Sequence, residues 1–345
     1  GNVVGLEVGG GKLINLHRIG NVGTRMLSAG RIGTLDNSTV KTFRAIVEIA
    51  ARGYDAVRPI FVTGNTGSTY TVASCNARAL ANLTDALPTA VAGTLPSSGV
   101  VPVAASAIRP SYLVGDWINI SSLPRDDGGT GALVCFDAYI STAATISILG
   151  NGSTDNYAGW ATRDNRKWIM RYNDGDCVTT PANFVSTTNR IQSPIVGVQY
   201  LARGRVITVM GVGDSITDGR GTLIGEGFGT SACEAASDID GTVFEWANAG
   251  FAGATQGSFI LYLPTLITAG VVPDIVVVPN GSPNSFSTPI TDSEINYSKT
   301  WLAKFLLTCR DNYITPVICT VLPTNPAIKN YNSSDSKRVA MNAET

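Results

Sequence analysis

One serine stands where chemistry could be done with it: Ser215, in the stretch Arg205 to Gly219, RVITVMGVGDSITDG. A β-branched apolar run delivers this hydroxyl into a glycine-flanked turn at the start of a helix. Such a turn exposes the side chain at the carboxyl edge of a sheet and aims backbone N–H groups at any anion that forms beside it. A serine hydroxyl is a poor nucleophile at neutral pH until a general base takes its proton, a task given to an imidazole oriented by a carboxylate. The chain has a single histidine, His17, almost two hundred residues upstream. It falls in a glycine-rich stretch and reads as a surface or packing residue.

The elements that would position Ser215 are legible downstream of Gly204. Apolar runs at Arg205 to Met210, Thr242 to Asn248, Asp274 to Asn280 and Thr315 to Val321 alternate with helical segments near Gly227 to Ser237, Gln256 to Ala269 and Asp292 to Tyr313. Strands that are apolar on both faces belong to a parallel sheet covered by helices, so residues 204–345 are expected to form a doubly wound α/β domain. A further helix is expected from near Ser334. The turns GDSITDG, NAGFAGAT and NGSPNS each follow a strand and would crowd the carboxyl edge, where ligands bind in such sheets.

These blocks, in this order, resemble the GDSL or SGNH hydrolase superfamily of serine esterases over about residues 204–345. The resemblance implies a flavodoxin-like α/β fold with Ser215 as nucleophile. It also implies an oxyanion hole made by the Ser215 N–H, the N–H of Gly253 and the side chain of Asn284, each donor lowering the barrier by on the order of 3 kcal/mol. Asp214 and Thr217 read as turn and cap residues. The family's G-x-N-D block becomes Gly281-Ser282-Pro283-Asn284-Ser285, with the asparagine one residue late, and Asn280 is a rival for its role. The family's D-x-x-H block has no counterpart after Ser215. The resemblance therefore implies that the base lies beyond residue 345, and that the chain as given lacks efficient hydrolysis. The implied chemistry needs no metal and no organic cofactor.

Residues 1–35 are glycine-rich without a sustained period and read as an irregular or extended leader. Residues 36–203 carry short β-prone runs punctuated by turn residues, the pattern of a β-rich sandwich or jelly-roll accessory domain. Asn65-Thr66-Gly67 and Asp126-Asp127-Gly128-Gly129 read there as hairpin loops. The stretch NYAGWATRDNRKWIMRYNDGD gathers Tyr157, Trp160, Arg163, Arg166, Lys167, Trp168 and Tyr172. Aromatic faces stack on sugar rings, so Trp160 and Trp168 are a candidate carbohydrate platform, with core packing of both as the plainer reading.

With 25 basic and 26 acidic residues the net charge is -1, without the basic excess that a phosphate backbone demands, and nucleic acid is excluded as a partner. Only 15% of residues are charged while glycine, serine, threonine and asparagine abound, which suits an extracellular or cell-surface protein. No apolar run approaches the roughly 18 residues of a membrane span. The six cysteines form no C-x-x-C pair, which argues against a zinc ribbon or a thioredoxin-like motif; they read as buried small hydrophobes, with one or two disulfides left open. The combined expectation is a secreted serine ester hydrolase that removes acetyl groups from carbohydrate or another small ester. The alternative is a non-catalytic carbohydrate-binding or attachment protein, such as part of a phage tail, with an inert hydrolase-like domain. A third reading is an oligomer subunit with the leader as an assembly arm.

Overall fold

The computed structural model describes residues 3–4, 17–23, 32–64, 68–83, 99–101, 110–149, 168–186, 193–218, 228–237, 240–250, 253–286, 290–320 and 335–343. Strands dominate the first part of the chain: β1 (Val3–Val4), β2 (His17–Gly23), β3 (Ile32–Asp36), β4 (Lys41–Ile49), β5 (Tyr54–Thr63), β6 (Tyr70–Leu80) and β7 (Gly99–Val101). They continue as β8 (Ser111–Val114), β9 (Ile118–Asn119), β10 (Ala132–Ile140), β11 (Thr145–Leu149), β12 (Trp168–Asp174) and β13 (Ile195–Ala202). Strands and helices then alternate: β14 (Arg205–Gly213), α1 (Ser215–Asp218), α2 (Phe228–Ala236), β15 (Thr242–Gly250), α3 (Gln256–Phe259) and α4 (Tyr262–Thr268). The last elements are β16 (Ile275–Pro279), α5 (Asp292–Asp311), β17 (Thr315–Cys319) and α6 (Asp335–Ala343). Among the described residues no helix is long and apolar enough to cross a membrane.

The expected parallel strands form and pair in parallel in the order β17–β16–β14–β15. Their residues alternate between two apolar layers. Val206, Met210, Val212, Ala247, Ala249, Val276 and Val278 pack with Leu263 and Leu266 of α4 and with Phe305 and Cys309 of α5. Val209 and Trp246 face the other way, onto Cys233 of α2. Both faces of β14, β15 and β16 are thus covered, as their apolar runs lead one to expect, whereas β17 is exposed at four of its five residues, against the expectation that its run is buried on both faces. The helix expected over Gln256 to Ala269 is split into α3 and α4. Pro264 is the cause: its ring would clash with the carbonyl of Ile260, four residues earlier, where the helix breaks. Helix α5 starts as a capping box, with the Thr291 side chain accepting from the Glu294 N–H and the Glu294 carboxylate from that of Thr291.

The leader reading of residues 1–35 is corrected in part. Strand β2 lies inside the main sheet, parallel to β15 and antiparallel to β13. The sheet continues as β15–β2–β13–β5–β8, ten strands among the described residues with β1 beside β2 and β9 beside β5. Glycine is what this strand needs. Gly20 stands opposite Tyr200, and a Cβ at Gly20 would lie 2.2 Å from the Tyr200 ring. The tyrosine hydroxyl donates to Glu245 Oε2 (2.8 Å), which also accepts from the Ala50 N–H (2.7 Å). Buried amides fix the strand further: the Asn21 N–H donates to Thr208 Oγ1 (3.0 Å), and Gln199 Nε2 donates to Asn21 Oδ1 (2.6 Å). Each such bond contributes about 0.5–1.5 kcal/mol net.

A five-stranded sheet, β12–β4–β10–β6–β7, is antiparallel throughout. Phe43, Ala45 and Val47 of β4 and Val134, Phe136 and Ala138 of β10 share one core with Val57, Ile60, Val198 and Tyr200 of the main sheet. The two sheets are layered as in a sandwich, but one of them runs on into the α/β half. This layering overturns both hairpin expectations. Residues 65–67 lie outside the described residues, and the strands on either side, β5 and β6, belong to different sheets. Residues 126–129 also connect strands of different sheets; Asp127 makes a turn there by accepting from the Gly129 N–H (3.1 Å) and pairing with Arg125 (2.6 Å). Strands β3 and β11 form a separate pair.

All six thiols are free, which closes the disulfide alternative. Five are buried and Cys319 is exposed. Burial pushes the Cys135 thiol up to about 11 and that of Cys309 to about 12.

Candidate active site

Ser215 opens α1 two residues past the end of β14 and is half-buried. The turn is tight because the preceding glycine leaves room for the helix: a Cβ at Gly213 would lie 2.2 Å from Thr217 Oγ1. Asp214 Oδ1 accepts from the Ile216 N–H (3.0 Å), so this aspartate shapes the turn, as its sequence setting suggests. Thr217 is buried against the same glycine.

Gly253 follows β15 by three residues, exposed, with φ at 88°. Nothing lies within 4 Å of where its Cβ would be, so the backbone conformation rather than space favours glycine there. Asn284 follows β16 by five residues, in a short 3-10 turn over Pro283–Ser285, and is exposed. Because β14, β15 and β16 run parallel, these three loops meet at one edge.

The residue that joins them is Ser282, which is fully buried. Its Oγ lies 2.6 Å from Asp214 Oδ2 and 3.1 Å from the Ala254 carbonyl, and it accepts from the Asn284 N–H (3.2 Å). A hydroxyl has one proton, and the shorter contact to the charged acceptor takes it. The Ala254 carbonyl is left to Asn284 Nδ2, which donates to it (3.1 Å). The Asn284 amide is thereby held at the peptide next to Gly253, with its second N–H unused by this contact.

The rival asparagine is placed differently. Asn280 is buried, and its Nδ2 donates to the Met341 carbonyl of α6 (3.2 Å). Its own carbonyl accepts from Gln256 Nε2 (3.0 Å) and lies 2.9 Å from Ser298 Oγ. The single Ser298 hydroxyl proton serves either that carbonyl or Gln256 Oε1, both within its reach, and the Gln256 N–H donates to Ser285 Oγ (2.7 Å). A second polar layer beneath the loops therefore binds α3, α5 and α6 to the edge. Ser282, Gln256 and Ser298 carried no signal in a serine-rich sequence; only their position under the loops reveals them.

No described residue offers a base to Ser215. Both oxygens of Asp214 hold the loops. His17 stands at the far end of β2, six residues before Gly23, which is level with Ala247 and so with Met210. At about 3.3 Å per residue, that register puts its backbone roughly 30 Å from Ser215 along the strand direction. Among the described residues no group of three or more His, Cys, Asp or Glu could hold a metal ion.

Of the aromatic and basic cluster of the first half, only Trp168 and Tyr172 are among the described residues. Trp160 lies outside the described residues, and Trp168 opens β12, paired with Val47 in the five-stranded sheet. Tyr172 on the same strand packs on Phe43 with ring centroids 5.8 Å apart, against the core.

No family model matches the chain, and no curated protein matches it. Among solved structures, AlinE4, an SGNH-hydrolase family esterase, is 18% identical over 41% of this chain and 72% of its own, with a TM-score of 0.34. The acetyl xylan esterase AlAXEase is 20% identical over 40% of this chain and 69% of its own, with a TM-score of 0.32. The acetyl xylan esterase Est2A of the rumen bacterium Butyrivibrio proteoclasticus is 10% identical over 93% of this chain and 86% of its own, with a TM-score of 0.27.

Proposed function

We propose that the carboxyl edge of β14, β15 and β16 is a serine ester hydrolase site of SGNH type, acting on acetyl esters of carbohydrate. The observation that carries the reading is the Asn284 side-chain amide bonded to the carbonyl of Ala254, the residue after Gly253, while the Asn284 backbone N–H donates to Ser282, which is itself hydrogen-bonded to the residue before Ser215. In this reading Ser215 Oγ attacks the ester carbonyl. The oxyanion forms against the N–H groups of Ser215 and Gly253 and the free N–H of Asn284. The carbonyl π electrons move to oxygen as the Oγ–C bond forms, then return to expel the sugar alkoxide, which takes up the proton that left Ser215; water then attacks the acetyl carbonyl on Ser215 and releases acetate, a proton returning to Ser215 Oγ. The Ser215 proton leaves to an acceptor that the described residues do not supply. Imidazole in solution is a chemical stand-in for it.

Incubation with 4-nitrophenyl acetate in imidazole buffer, followed by intact-mass and peptide analysis, tests the reading. One acetyl group on Ser215, absent from Ser215→Ala, is the expected result. An acetyl group on other residues alone would overturn it and leave the carbohydrate-binding reading, which the missing imidazole favours.

A further inference from the structure

Helix α5 carries an aromatic pair beside this edge that no part of the proposed chemistry uses. Tyr297 and Trp301, one turn apart, meet edge to face with ring centroids 5.8 Å apart and planes at 70°. Lys304 Nζ lies 4.6 Å from the centre of the Trp301 ring. Tyr297 is 50% exposed, more than a core tyrosine needs, while Trp301 is half-buried against the core and so rigidly seated. Among the described residues the Tyr297 hydroxyl, the Trp301 indole N–H and the Lys304 ammonium have no hydrogen-bond or ion-pair partner.

The pair is tied to the site through the polar layer beneath it. The Oγ of Ser298, the neighbour of Tyr297, lies 2.9 Å from the Asn280 carbonyl at the end of β16. Gly257 of α3 lies so close that a Cβ there would come within 2.3 Å of Tyr297 Oη and 3.4 Å of Trp301 Nε1. Gly257 is four residues past Gly253, a span of at most about 14 Å of extended chain. An exposed tyrosine face set at an angle to a half-buried indole, with unpaired polar tips, has the chemistry of a carbohydrate subsite: ring C–H groups stack on an aromatic face while hydroxyls meet the donors.

We infer that Tyr297 and Trp301 form a stacking platform for a neutral pyranose ring of the polysaccharide, with the indole N–H and Lys304 donating to its hydroxyls. The inference rests on the ester hydrolase reading for the identity of the substrate, and it moves the platform from Trp160 and Trp168 to the edge that holds Ser215.

The test is titration of the intact chain with β-1,4-linked hexasaccharides of xylose, glucose and N-acetylglucosamine, followed by tryptophan fluorescence and calorimetry. Saturable binding of at least one is expected, weakened about tenfold or more in Tyr297→Ala and in Trp301→Ala, and less in Lys304→Ala. The exposed Tyr297→Ala change should leave thermal unfolding unaltered, so it decides the matter even where Trp301→Ala disturbs packing. Binding to none of the hexasaccharides, or equal binding by wild type and Tyr297→Ala, would overturn the platform. Acetylation of Ser215 by 4-nitrophenyl acetate is read in parallel in the wild type. Its loss from the wild type with hexasaccharide binding intact would remove the hydrolase reading and leave the platform standing.

Discussion

At the residue scale, Asn284 and Ser282 divide two tasks that the family resemblance assigns to one block. In the proposed site Asn284 presents the amide, while Ser282 ties the Asn284 backbone N–H to Asp214 of the serine turn. Asn284→Ala should lower imidazole-assisted acetylation of Ser215 by about 10²–10³-fold, the effect of removing one oxyanion donor, with the unfolding midpoint almost unchanged. An effect below threefold would remove Asn284 from the hole. Ser282→Ala leaves a buried carboxylate oxygen and the Asn284 N–H without their shared partner, so urea denaturation should show a loss of about 1–3 kcal/mol together with a slower reaction. The positions of Ser215 at the strand-to-helix turn and of Gly253 in a left-handed turn were legible, because both local conformations constrain residue type. Ser282 was not, because a serine that accepts and donates in a buried loop looks in sequence like any other.

At the scale of elements, the outer face of β4, β10 and β6 buries an ion cluster. Arg44 pairs with Asp137 through both carboxylate oxygens (2.6 and 2.7 Å), and Arg78 reaches the second of them (2.7 Å). The guanidinium of Arg44 also lies 3.8 Å from the centre of the Phe184 ring. Asp137→Ala would leave two buried cations uncompensated at a cost of about 3–5 kcal/mol, measurable as a lowered denaturation midpoint; a loss under 1 kcal/mol would contradict the burial of this cluster. Thiol reactivity checks other elements. With Cys319 exposed on β17, the edge strand among the described residues, and the other five buried, the native protein should react at Cys319 alone, and at all six only after unfolding. Strands β14 to β17 and helix α5 were legible because β-branched runs and a capping box are local signals. Strand β2 was not, since its glycine exists for the ring of Tyr200, a residue 180 positions away. The loop at residues 65–67 carried a hairpin signal, yet turn residues do not say which sheet the next strand enters.

At the scale of the whole molecule, one sheet spans the boundary expected at residue 204. Strands β2 and β13 from upstream extend the parallel strands that carry Ser215, and a single apolar cluster reaches from Phe43 to Ile314. Calorimetry should therefore show one main unfolding transition; two well-separated ones would contradict the shared sheet. The same continuity makes the site edge a property of the complete fold, with loops laced through buried hydrogen bonds and the far end of β2 holding the only histidine away from them. The central claim is that this edge activates an ester toward Ser215 and that the described residues supply no proton acceptor. The most direct measurement is the rate of 4-nitrophenyl acetate hydrolysis against imidazole concentration, for the intact chain and for Ser215→Ala. The account predicts little activity without imidazole and, with it, a saturable increase in the wild type above the linear background shown by the variant. Identical rates for the two proteins at every imidazole concentration would contradict it.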